Sequence, residues 1–186
     1  IEAAIGLGRA IERIKSRLKN PALRFDIVAH SMGGLVADYY VKYGARDVTG
    51  DGKDHPVTYA GAADIGKMVL IGTPRRGAMS AFKILHTGIS RALSRRALFT
   101  MPSVYQLLPG GDRCFIDADG RPLEADLHDA ASWVKNRWSV FDPRARTEPG
   151  EVAGMRRFLQ AALDRARDFR GALDRDPGRP SPVPIH

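Results

Sequence analysis

Residues 25–34 read Phe-Asp-Ile-Val-Ala-His-Ser-Met-Gly-Gly (FDIVAHSMGG), and the order of residue types in this stretch decides the fold. With Arg24 before it, RFDIVAH (Arg24–His30) is a short run of β-formers and apolar residues, suited to a buried strand. Ser31 follows, then the glycines Gly33 and Gly34, and Met32 to Tyr43 has the pattern of a helix closed by Gly44. Upstream, Ile1, Ile5, Ile11, Ile14 and Leu18 recur at near-helical spacing, which predicts a helix over residues 1–19 stopped by Asn20-Pro21. Downstream, residues 45–66 read mostly as loop, and KMVLIGTP (Lys67–Pro74) reads as a second buried strand ending in a Gly-Thr-Pro turn. Strand, helix and strand in that order make a βαβ unit with parallel strands and a right-handed crossover.

A lone pair of parallel strands is marginally stable and leaves two apolar edges open. Residues 21–74 therefore imply sheet neighbours beyond themselves. The chain opens at Ile1, without methionine and already inside a helical pattern, so residue 1 reads as a cut rather than a natural start.

Past Pro74 the pattern changes. Phe82, Leu85, Ile89 and Leu93 predict an amphipathic helix weakened by Gly88. FIDADGRPL reads as a hairpin about Asp119-Gly120, and SWVKNRWSVFDP brings Trp133 and Trp138. Val152, Met155, Leu159, Leu163, Ala166, Phe169 and Leu173 predict a closing helix. The proline-rich DPGRPSPVP then leads to Ile185-His186, the start of a further element.

A serine hydroxyl is a poor nucleophile unless it is held in the open, near a base, with donors aimed at the developing oxyanion. A sharp strand-to-helix turn does the holding and needs small residues two before and two after the serine. Those residues are Ala29 and Gly33, with Gly34 giving more room; glycine is the usual residue at the first position, and alanine adds one methyl. The Met32 amide opens the following helix, where it can face an oxyanion. His30 precedes Ser31 on the strand, points the other way, and reads as a packed residue rather than the base.

VAHSMGGLVADYY, VLIGTPRRGAMSAF and MPSVYQLLP occur in this order. Together they resemble the lecithin:cholesterol acyltransferase-like branch of the α/β-hydrolases, over most of residues 1–145. The resemblance implies an α/β class, as a partial α/β-hydrolase fold with strands missing on both sides. Residues 1–74 would be core with the nucleophile elbow, 75–147 a mostly helical cap, and 148–186 a returning helix and linker toward the next core strand. It implies Ser31 as nucleophile and the Met32 amide as one oxyanion donor, with Ala29, His30, Gly33 and Gly34 shaping the elbow. The second oxyanion donor, the triad acid and the triad histidine are expected outside residues 1–186. Asp112, Asp117, Asp119, Asp126, His86 and His128 fall in the cap. The implied activity is lipid ester hydrolysis or O-acyl transfer through an acyl-enzyme, with no cofactor and no metal. The alternative is a non-catalytic relative that binds or scaffolds.

Length and composition fit one ordinary domain: 186 residues, 44% hydrophobic and 27% charged. The single cysteine, Cys114, excludes a disulfide within these residues and says nothing of compartment. The formal charge is +8. Between Asp64 and Asp112 there is no acid, while Lys67, Arg75, Arg76, Lys83, Arg91, Arg95 and Arg96 lie there. Segment 75–101 could therefore face an anionic membrane surface, and no nucleic-acid-binding motif competes with that reading. DVTGDGKD resembles the start of a calcium loop, with Asp47, Asp51 and Gly52 in place, but Thr49 and Thr58 stand where acidic ligands belong; a polar surface turn is the default. The cap's Phe82, Ile89, Leu93, Phe99, Tyr105, Leu107, Leu108, Trp133 and Trp138 could form its core or line an acyl pocket.

Overall fold

The computed structural model describes residues 1–50, 53–110, 114–116, 118–123 and 125–186. Asp51 and Gly52 of the calcium-like loop, and Asp112 and Asp117 of the cap, lie outside the described residues. The chain divides into two compact units, residues 1–75 with 171–186, and residues 76–170. The sequence reading divides it at 74/75 and 147/148; the second compact boundary instead falls inside the closing helix.

The first unit is of the α/β class. Helix α1 (Glu2–Arg17) buries Ala4, Gly8 and Ile11, and places Glu2 in its first turn and Lys15 and Arg17 in its last, as the helix dipole favours. Strand β1 (Phe25–His30) leads into α2 (Met32–Tyr43), which ends at Gly44 with φ 67°. Strand β2 (Ile65–Ile71) starts two residues before the expected Lys67. The strands are parallel, in register from Asp26 opposite Lys67 to His30 opposite Ile71. Successive residues alternate between faces. Ala29 and Met68 are buried on one face, whereas Val28, 72% exposed, and Ile71, 51% exposed, lie on the other.

A third stretch joins the sheet. The Met68 amide donates to Pro184 O at 2.9 Å, the His186 amide to Met68 O at 2.9 Å, and the Leu70 amide to His186 O at 2.8 Å. The pairing of Ile185 with Met68 is parallel. Residues 184–186 thus pair beside β2 through an isolated bridge, on the side away from β1. Hydrogen bonds from Lys42 to Leu173 O and from Tyr43 Oη to Ala172 O fasten the end of the closing helix to α2.

The second unit holds α3 (Met79–Thr87), α4 (Arg95–Phe99), α5 (Pro102–Tyr105), α6 (Ala130–Lys135) and most of α7 (Val152–Asp174). The helix expected through Leu93 stops at Gly88, which caps α3 with φ 78°. Ile89 and Leu93 are consequently exposed. Phe82, Phe99, Tyr105, Leu108, Trp133 and Trp138 pack into one core with Leu159 and Leu163 of α7. Phe82 sits edge-on to Phe115, Trp133 and Trp138. Two of its buried polar atoms are paired with backbone: Trp133 Nε1 donates to Leu127 O at 2.9 Å and Tyr105 Oη to Phe99 O at 2.7 Å. Among the described residues the expected hairpin is one antiparallel bridge, Ile116 to Pro122, with Gly120 at φ 79° in its turn.

Candidate functional site

Ser31 stands where β1 becomes α2, at φ 53° and ψ −125°. Positive φ is uncommon for a residue with a Cβ, and such a conformation costs about 1–3 kcal/mol, so the surrounding structure must hold it. The hold is visible on both sides. The Ser31 amide donates to Ile71 O of β2 at 2.9 Å, and Ser31 O accepts from the Gly34 amide at 3.1 Å. A serine before a helix ordinarily turns its hydroxyl back onto the first free amides. Ser31 occupies the N-cap of α2 but makes no side-chain capping bond. Its backbone twist leaves the hydroxyl unused in capping, and among the described residues only that of Gly34, of the first three amides of α2, is taken up, by Ser31 O. Met32 opens the helix, so its N–H has no carbonyl one turn back to bond.

Steric demand at the turn falls on a different glycine from the one the sequence pattern singles out. A Cβ on Gly33 would meet only Ala29 Cβ, at 3.7 Å, an ordinary contact. The alanine at position 29 therefore fits without strain. A Cβ on Gly34 would lie 2.8 Å from Thr73 Cβ and 2.7 Å from its Cγ2, and closer still to Oγ1. Gly34 lets α2 pass against the Gly-Thr-Pro turn. Thr73 Oγ1 is buried there and has no hydrogen-bond partner among the described residues. The chain leaves β2 through Gly72 at φ 58°, and Arg75 then reaches back to Asp38 of α2 at 3.3 Å. Burial raises the Asp38 carboxyl above its ordinary value, while Lys42 and Arg75 pull against that rise.

Among the described residues no hydrogen bond joins the Ser31 side chain to a histidine. His30 is exposed at the end of β1, and its side chain makes no hydrogen bond to a described residue. In the second unit, His86 Nδ1 accepts from the Ser139 amide at 3.0 Å, which requires the neutral ring. Burial lowers its affinity for a proton, Asp142 opposes this, and Arg95 and Arg144 add to it. His128 is 5% exposed and likewise lowered, chiefly by burial, with Asp126 opposing. Asp126 is taken up by Arg167 at 3.5 Å and by the His128 amide at 2.7 Å, and Asp119 by Arg121 at 3.3 Å.

The acid-free segment is not acid-free in space. Lys67 pairs with Asp26 at 3.4 Å, Arg75 with Asp38, Arg95 with Asp142 at 3.5 Å and Arg96 with Glu151 at 3.0 Å. Arg76, Lys83 and Arg91 carry no ion pair among the described residues, and they share their segment with the exposed Met79, Ile89 and Leu93. Asp47 accepts from the amide and hydroxyl of Thr49, at 3.0 and 2.8 Å, and so closes a turn on itself. Among the described residues no group of three or more His, Cys, Asp or Glu is placed to hold a metal ion, and no helix is long and apolar enough to cross a membrane.

No family model matches the chain, and no curated protein matches it.

Proposed function

We propose that Ser31 is the nucleophile of a lipid ester hydrolase or O-acyltransferase built on an α/β-hydrolase core. The observation that carries this is the backbone of Ser31, held at φ 53° between a parallel strand and a helix with its hydroxyl unspent on capping. A residue kept at such a cost marks a site where presentation matters more than local stability. The parallel pairing of β1 with β2, and of Ile185 with Met68 of β2, supports the same core.

On this reading Ser31 Oγ attacks an ester carbonyl, a histidine takes its proton, and the Met32 amide donates to the oxygen that becomes negative. An oxyanion donor of this kind is worth about 3 kcal/mol of barrier. The alcohol leaves with the proton from the histidine, and Ser31 is left acylated. Water then gives hydrolysis and a bound alcohol gives transesterification. The acid, the histidine and the second donor come from outside residues 1–186, so residues 1–186 alone do not turn over esters. Lipid selectivity rests on the three-motif resemblance and on the exposed Met79, Ile89 and Leu93 beside Arg76, Lys83 and Arg91.

The test is labelling of the natural protein with a fluorophosphonate probe, paired with turnover of a p-nitrophenyl ester. Ser31→Ala is expected to abolish labelling and to cut turnover by about a million-fold, the usual size for losing such a nucleophile. Labelling that survives Ser31→Ala, or an unlabelled natural protein, overturns the proposal.

A further inference from the structure

The first unit contains a cavity at the end of α2 away from Ser31. Its volume is about 850 Å³, and its walls are α1, the end of α2 and the loop after it. At 1.5 Å rise per residue the 12 residues of α2 separate the two places by roughly 18 Å. The volume lies within the ~300–1,000 Å³ of small-molecule sites.

Three guanidinium groups line this cavity, from Arg9 and Arg13 on α1 and from Arg46 on the loop. None of the three has an ion pair or a hydrogen-bonded acceptor among the described residues. Arg9 and Arg13 stand one turn apart on the same helix face, where like charges repel. Arg46 is carried on backbone that is firmly held: Tyr39 Oη donates to Arg46 O at 3.1 Å and accepts from the Val48 amide at 3.0 Å. The acids in the lining do not cancel these charges. Asp64 already accepts from Lys15 and, at 2.6 Å, from Tyr40 Oη. Burial alone would raise the Asp64 carboxyl, but those bonds outweigh it and hold it below its ordinary value. Glu12 remains, with Lys15 Nζ at 4.0 Å.

The floor is apolar in effect. Tyr40 and Tyr43 are buried and their hydroxyls are spent on Asp64 and Ala172 O, leaving ring surface toward the cavity. A glycine adds a second, independent observation. Gly8 is demanded by packing, since a Cβ there would lie 2.7 Å from Ala45 Cβ and 2.9 Å from Tyr40 Cε2. Gly6, also in the lining, would meet nothing within 4 Å. A glycine inside a helix costs roughly 1 kcal/mol against alanine, and here no protein contact explains it. It leaves helix backbone bare at the mouth of a cavity ringed by unpaired arginines.

We infer that this cavity binds a small phosphomonoester with an apolar body, the phosphate on Arg9, Arg13 and Arg46 and the body over Tyr40, Tyr43 and Gly6. Guanidinium forks match phosphate oxygens in paired hydrogen bonds, and three of them suit a doubly charged group better than a single carboxylate. The site is separate from Ser31 and does not depend on the ester chemistry proposed there.

The experiment is isothermal titration calorimetry on the protein carrying Ser31→Ala, which removes any turnover of the probes. The probes are monomeric dihexanoyl phosphatidic acid, glycerol 3-phosphate and, as the neutral control, dihexanoyl phosphatidylcholine. Phosphatidic acid is expected to bind at least tenfold more tightly than phosphatidylcholine. Arg9→Gln and Arg46→Gln, both at exposed side chains, are each expected to weaken it tenfold or more with the thermal midpoint unchanged. Gly6→Met, which fills the mouth, is expected to weaken it as well. Phosphatidic acid binding more tightly than glycerol 3-phosphate supports the apolar body and identifies a lipid headgroup as the source; glycerol 3-phosphate binding as tightly overturns the apolar half of the proposal. Equal affinity for phosphatidylcholine, arginine variants that bind as the parent does, or no binding of either anionic probe overturns it.

Discussion

At Ser31 a positive φ is imposed on a residue that has a Cβ, and two substitutions separate that strain from the chemistry of the hydroxyl. Ser31→Ala removes the oxygen and keeps the strain, whereas Ser31→Gly removes both. Relief of about 1–3 kcal/mol of strain, less the ~0.4–1 kcal/mol by which glycine favours the unfolded chain, leaves Ser31→Gly more stable than Ser31→Ala by about 1 kcal/mol. Urea midpoints of the two variants measure this, and equal midpoints would mean that the turn holds no strain. A second contrast lies two and three residues on. Gly33→Ala is expected to change stability by less than ~1 kcal/mol, since its methyl meets only Ala29 at 3.7 Å and alanine favours helix. Gly34→Ala is expected to cost about 2–4 kcal/mol, because its methyl overlaps Thr73. Thr73→Ala should restore part of that loss, and a double variant that is merely additive would show that the overlap is not the cause. The strand-to-helix turn at Ser31 was legible from the sequence, but the crowding does not fall on Gly33, where an added methyl would meet only Ala29 Cβ at 3.7 Å. That Gly34 bears the tightest contact was not legible, because its neighbour, Thr73, is remote in sequence.

Elements with a strong local signal were read closely from the sequence, and those held by distant partners were not. Helices α1, α2 and α7 and strand β1 carry period, breaker or cap within their own residues, and α2 ends at the expected Gly44. The second unit shows what local patterns miss. Gly88 stops α3 where apolar spacing ran on to Leu93, because a residue at φ 78° ends a helix more firmly than spacing extends it. Helices α4, α5 and α6 are too short to show a period and stand on packing around Trp133. The pairing of Arg95 with Asp142 joins residues that no sequence pattern connects. It lies beside a contact with a consequence for pH. His86 Nδ1 accepts from the Ser139 amide, and its proton affinity in the folded state is below the ordinary value of 6.5. The unfolded chain therefore takes up a proton more readily, so stability present above pH 6.5 is lost as pH falls toward the folded value. Urea midpoints of the protein should fall between pH 7.5 and 5, both values chosen to bracket an imidazole near ~6.5. His86→Asn, which keeps an acceptor but does not titrate there, should reduce that fall, to which the buried His128, lowered in the same direction, also contributes. A slope that His86→Asn leaves unchanged would remove the Ser139 bond from the account.

For the molecule as a whole, the decisive feature is a sheet with one face and one edge open. Among the described residues β1 has β2 as its only strand partner, and the far side of β1 offers its backbone groups unpaired. Val28 and Ile71, 72% and 51% exposed, leave apolar surface on the same face. An open apolar edge is a template for pairing with another chain. Opposing this is the formal charge of +8, which makes copies repel one another at a range set by salt. Residues 1–186 expressed alone should therefore associate in a concentration-dependent way, and more strongly at high salt, because screening removes the repulsion and leaves the apolar contact. Sedimentation velocity at low and high salt measures both trends. Val28→Lys places a charge in the middle of the open face and should shift the population toward monomer at every salt concentration. Association that weakens as salt rises would mean that ion pairs rather than the sheet bring the copies together. A monomer at all concentrations would mean that a strand edge and face this apolar are shielded within residues 1–186 themselves, and the sheet would then need no neighbours to complete it.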